Sequence, residues 1–168
     1  GYRTDLGPKL GTTFQYMNIG GMNRSVQLGA LINQRLNYST IDPLRRKEAS
    51  SLLEYNLSAS FTEGDIFNTD TSYTLGLSQQ RRRFYPFDAD IQRISNTFSR
   101  TFTKNTSASI RHQLEKINQW NGTTPDQNGQ FRIGSLAPNF TWDLRNSQTL
   151  PTKGAFFNLS TELANPLL

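Results

Sequence analysis

The chain has 168 residues, a formal net charge of +5 and a hydrophobic content of only 35% with glycine left out, and its 12 glycines do not raise it to the roughly 45–50% that ordinary soluble domains reach with glycine counted. Aromatics make up 11% and cysteine is absent, so the chain is too aromatic for a disordered segment and carries no disulfide framework. No apolar run approaches the ~20 residues of a transmembrane helix, and clusters such as Arg45-Arg46-Lys47 and Arg81-Arg82-Arg83 have no recognition helix beside them, which argues against a nucleic-acid partner.

Gly1 to Thr4 read as the end of a first strand, turning at Asp5-Leu6-Gly7-Pro8. Leu10, Thr12, Phe14 and Tyr16 then alternate with Lys9, Gly11, Thr13 and Gln15, which predicts a strand with two unlike faces. A glycine-rich turn, Ile19 to Asn23, leads into Val26, Leu28, Ala30, Ile32, Leu36 and Tyr38 on one face, with Leu31 out of pattern. After a polar connection from Ser39 to Glu48, Ala49, Leu53, Tyr55, Leu57, Ala59 and Phe61 repeat the alternation. A turn near Glu63-Gly64-Asp65 precedes Thr71, Tyr73, Leu75 and Leu77, and a second long connection is expected from Arg81 to Asp90.

Two more strands are expected over 91–103 and 106–119. Helix is the competing reading there, because Ile94, Phe98 and Phe102 recur every fourth residue and Ile110, Leu114 and Ile117 fit helical spacing. Dense Ser and Thr and the tight Lys104-Asn105 turn favour strands. Beyond the loop from Asn121 to Gly129, Leu136, Phe140 and Trp142 share one face, interrupted by Pro138. Ser135, Asn139, Thr141 and Asp143 take the other. Following Pro151 and Gly154, Ala155, Phe157, Leu159 and Leu163 alternate with Asn158, Ser160 and Glu162.

The pattern is all-β: an antiparallel meander of 8–9 strands over 1–168, one face apolar and the other rich in Ser, Thr, Asn, Gln and Gly. A transmembrane barrel with a wet interior needs that combination, and its strands cross with about 9–11 residues. The connections near 20, 65 and 105 look short and those near 43, 86 and 125 long, as in barrels with short periplasmic turns and longer outer loops. Tyr38, Phe61, Phe84, Tyr85 and Trp120 stand at strand ends as candidate membrane-interface aromatics. A soluble sandwich or interaction module remains an alternative, although its strands are usually only about 5–6 residues. A passive diffusion porin is another. His112 is the single histidine, and neither a G-x-S-x-G nor a metal-spaced cluster occurs, so no catalytic residue, metal site or cofactor is expected.

The opening GYRTDLGPKL, a strand and a short Gly/Asn turn, resembles the start of the BamA/TamA-type outer-membrane assembly barrels, nearest the TamA-like branch. The segment with Trp142, Asp143, Arg145, Pro151, Thr152, Lys153 and Gly154 is similar to a later family segment, a strand ending Asp-x-Arg followed by a Pro-Thr-(Arg/Lys)-Gly turn between the eighth and ninth strands. Asn146 stands where the family commonly has Asp. The resemblance implies the first half of a barrel of about sixteen strands, with POTRA domains and C-terminal strands outside this chain, in the outer membrane of a Gram-negative bacterium. It implies a non-enzymatic machine that inserts or translocates envelope proteins, with Gly1, Tyr2, Arg3 and Thr4 in a lateral-gate strand. The implied partners are the lipid bilayer, unfolded outer-membrane clients and an inner-membrane-anchored or periplasmic assembly protein. Asp143 and Arg145, two residues apart, are expected to neutralise each other on the inward face.

Overall fold

Alternating side chains and a run of tight turns leave a chain like this one arrangement, strands laid side by side in sequence order. The computed structural model describes residues 8–34, 53–84, 87–122, 124–147 and 149–165. Within them lie β1 (Lys9–Met17), β2 (Arg24–Gln34), β3 (Leu53–Glu63), β4 (Thr71–Arg83), β5 (Asp88–Thr103), β6 (Thr106–Trp120), β7 (Gly129–Asp143), β8 (Phe156–Ser160) and β9 (Leu163–Asn165). They form one antiparallel sheet in the order β1 to β8, with β9 also on β7. No second sheet packs on it among the described residues, so the sandwich reading is set aside. The segment from 91 to 119, where helix competed, is two strands joined at Lys104-Asn105.

β8 and β9 are one strand by register. Asn139 faces Ser160 and Leu136 faces Leu163, so no residue is inserted between them. The break lies opposite Pro138, whose carbonyl accepts from Thr161 N–H at 3.2 Å. Proline has no N–H to return the bond, and the ladder lapses there.

Cross-strand register sorts the side chains. On one face Phe14, Leu28 and Ala59 line up, followed by Leu77, Ile94 and Leu114. Lower on the same face Tyr73, Phe98 and Ile110 are in register. Gly29, Ser58, Ser78, Arg93 and Glu115 follow one another across the other face. This polar face is crowded: a Cβ added to Gly29 or Gly76 would come within 2.6 Å of Ser58 or Ser95 Oγ. Among the described residues only Ala89 and Ile91 are buried hydrophobics, while Leu77, Ile94, Phe98, Ile110 and Leu114 are each more than two-fifths exposed. A sheet with one predominantly apolar face, interrupted at Asn96, His112 and Arg100, and almost no core has its hydrophobic partner outside the chain.

Two expectations need correction. The long connection at 81–90 is a short one: β4 continues to Arg83 and β5 begins at Asp88. Arg81 faces Asp90 and Arg83 faces Asp88, so opposite charges extend the ladder where the sequence pattern suggested a loop. At the opposite end, the connections at 64–70 and 144–155 are longer than that at 84–87, and loop length therefore does not orient the sheet. In β6, Ile117 lies apart from Ile110 and Leu114 and faces Ile91 and Phe131 on the polar face, as the period of a strand requires. Leu31, Ile91, Ile117 and Phe131 mark a level at which the faces exchange character. There the apolar face carries Gln79, Gln92, Lys116 and Arg132 instead.

Candidate functional site

The turn from Leu144 to Ala155 is built mainly by backbone and short side chains. Leu144 N–H donates to Ala155 O at 2.8 Å, and Asn146 N–H to Lys153 O at 3.0 Å. Asn146 Oδ1 accepts from both Thr152 N–H and Lys153 N–H at 3.1 Å, and its Nδ2 donates to Thr152 Oγ1 at 2.8 Å. An aspartate would offer the same acceptor but not the donor. The position thus serves the turn locally with no charge. Gly154 has φ +106, and a Cβ there would overlap the Leu144 carbonyl, which makes glycine a steric requirement. Pro151 lies exposed between these groups.

Asp143 closes β7 on the polar face, past Trp142, the last apolar residue of its strand. Arg145 Nε and Nη2 donate to Asp143 Oδ1 and Oδ2 at 2.8 and 2.7 Å, and Arg145 N–H also donates to Oδ1 at 3.1 Å. This two-pronged pairing suits the planar guanidinium. Chiefly by these hydrogen bonds, Arg145 holds the Asp143 carboxyl down to about 2, and Asp143 raises Arg145 in turn. The guanidinium also lies 4.7 Å from the Phe156 ring centroid, a favourable cation–π distance.

The polar face continues as a hydrogen-bonded wall. Asn158 Nδ2 donates to Thr141 Oγ1 at 2.8 Å, and Thr62 and Thr74 hydroxyls meet at 3.1 Å. Arg93 Nη2 pairs with Glu115 Oε2 at 2.7 Å. Such a face suits water or a polar occupant. Among the described residues no group of three or more His, Asp or Glu side chains could hold a metal.

Gly1, Tyr2, Arg3, Thr4, Tyr38 and Tyr85 lie outside the described residues. Phe61 sits on the apolar face between Val26 and Leu75. Phe84 stacks on Phe87 at 5.0 Å in the 84–87 hairpin. Trp120 faces Asp88 on the outward face and lies 5.5 Å from the Arg81 guanidinium. Two further aromatics pair with arginines on this face: Tyr55 lies 5.4 Å from the same Arg81 guanidinium, and Phe102 lies close to Arg100. Only Phe102 carried a signal in the sequence, an arginine two residues away on the same face, whereas Tyr55 meets Arg81 across the β3–β4 ladder.

A single antiparallel meander with one apolar face, one hydroxyl- and amide-lined face and almost no core defines this chain as part of a β-barrel of the outer-membrane type. The model of the Omp85 superfamily domain matches residues 18–168. The chain belongs to the Omp85 superfamily, a family of outer-membrane proteins involved in protein insertion and translocation and without enzymatic activity. No curated protein and no solved structure gives a match.

Proposed function

We propose that this chain forms the N-terminal half of an outer-membrane barrel that inserts or translocates envelope proteins, in the manner of the TamA-like branch. The observation that carries the proposal is the family match over 18–168. The apolar face then meets lipid, the polar face a wet lumen, and the turns at 18–23, 64–70, 104–105 and 144–155 face the periplasm. β1 and the β8–β9 strand are sheet edges unpaired on their far sides among the described residues. Lipid offers an open edge no hydrogen bonds, so further strands of the same barrel satisfy them.

In this reading Gly1 to Thr4 lie in the first strand, which pairs weakly with the last. Opening there presents a strand edge to an unfolded client by main-chain hydrogen bonding. POTRA domains and an inner-membrane-anchored or periplasmic partner deliver the client. The Asp143–Arg145 pair spares the lumen an uncompensated charge. The test uses the full-length protein in bacteria, with one cysteine at Tyr2 and another on the last strand. Crosslinking is expected to stop client assembly, and unimpaired assembly by the crosslinked form would mean a static pore. Recovery of the protein as a monodisperse monomer without detergent would overturn the membrane placement itself.

A further inference from the structure

Toward the 84–87 and 121–128 connections, the apolar band ends in the row Leu77, Ile94 and Leu114. One outward position further on, Lys116 and Arg132 are direct cross-strand partners, and both are exposed. Two cations so placed repel, and more strongly beside a low-dielectric layer than in bulk water. The neighbouring carboxylates on this face are engaged: Asp90 by Arg81 at 2.8 Å and Asp88 by Arg83 at 3.8 Å. Beneath the two cations a groove of about 390 Å³ opens, lined on this face by Gln92, Ile94, Leu114, Lys116, Arg132 and Gly134. Gly134 faces Leu114 in register and leaves the floor without a side chain.

An apolar floor continuous with the lipid-facing band, under a doubly cationic rim, fits an amphiphile with an anionic head. We propose that the groove binds a phosphorylated glycolipid of the outer leaflet. Its phosphate bridges the Lys116 ammonium and the Arg132 guanidinium, with the Gln92 amide as a further donor, and an acyl chain lies along Leu114 and Ile94. Phosphate is the anion that both cations bind well through charge-assisted hydrogen bonds, and an acyl chain covers a floor that a soluble anion would leave bare to water. The inference rests on the membrane reading above.

The experiment measures lipid retention by the full-length, detergent-purified protein in native mass spectrometry. The probes are diphosphoryl lipid A, phosphatidylglycerol and inorganic phosphate. Wild type is expected to retain lipid A in preference to phosphatidylglycerol. Lys116→Gln and Arg132→Gln are each expected to weaken retention about tenfold, the scale of one charge-assisted hydrogen bond. Gly134→Leu, which keeps both charges but fills the floor, is expected to weaken it as well. Arg111→Gln, which removes an exposed cation from the opposite face, is expected to have no effect. Equal losses with Arg111→Gln would reveal attraction to net charge alone and overturn the site. Preference for phosphatidylglycerol, or full displacement of lipid A by inorganic phosphate, would overturn the glycolipid assignment. Heat-modifiable migration and β-type circular dichroism in vesicles monitor each variant. Their absence in wild type would count against the membrane reading and not against the site.

Discussion

Replacing Ile110 by arginine and, separately, its neighbour Ser109 by arginine separates a lipid-facing from a solvent-facing residue within one strand. Ile110 faces Phe98 on β5 and Pro138 on β7, whereas Ser109 faces Ser99 and Asn139 on the polar face. On the outward face of β5, apolar Ile94, Phe98 and Phe102 alternate with Asn96 and Arg100 over the stretch from Ile94 to Phe102. At ~3.4 Å per residue and a tilt near 40°, that stretch rises roughly 20 Å through the bilayer. Phe98 is its midpoint, so Ile110 lies near the midplane. An arginine at that depth costs about 2–4 kcal/mol, and an arginine projecting into a wet lumen about 0.5 kcal/mol or less. The expected gap of roughly 2 kcal/mol corresponds to about a thirtyfold difference in the folded-to-unfolded ratio. Guanidinium unfolding of the full-length protein in phospholipid vesicles measures it. Equal costs at the two positions, or a larger cost at Ser109, would refute the assignment of faces.

Three further outcomes test the candidate site and the sheet around it. Gly154→Ala is expected to destabilise the 144–155 turn by about 1–3 kcal/mol, since φ is positive and the new Cβ overlaps the Leu144 carbonyl; vesicle unfolding midpoints read this. The Asp143 carboxyl is depressed to about 2, below its unfolded value near 4. Its contribution to stability is therefore present above that unfolded value and lost as pH falls through about 2. Arg145→Ala should remove this acid-side slope, which unfolding midpoints between about pH 5 and 2 would reveal, and a slope identical to wild type would contradict the pairing. Pro138→Val restores the N–H that Thr161 lacks as a partner, and one added hydrogen bond is worth about 0.5–1.5 kcal/mol. Slower hydrogen exchange around Thr161 and Glu162 is the expected sign, and unchanged exchange would locate the cause of the β8–β9 break elsewhere.

Much of the site and the sheet was legible along the chain, because the properties concerned are local. Side-chain alternation assigns Leu57, Ala59 and Phe61 to one face and Ser58 and Ser60 to the other whatever the neighbouring strand does. The need for glycine after Thr152-Lys153 and the lost ladder bond at Pro138 follow from single-residue stereochemistry. The Arg145–Asp143 pair is two residues apart, within reach on one strand end. Even the corrected 81–90 hairpin had a signal, since Arg81 and Arg83 mirror Asp90 and Asp88 about one centre.

Cross-strand register decided the rest, because it joins residues far apart in sequence and shows in no local pattern. Only the sheet sets Lys116 beside Arg132, above a floor opened by Gly134 opposite Leu114. Only the sheet lines up Leu31, Ile91, Ile117 and Phe131 on the polar face, at the level where the apolar face turns hydrophilic. The sequence by itself determined that the chain makes strands with two unlike faces. The tertiary structure decided where along those strands each face changes partner, since that height is defined by the strands' alignment with one another.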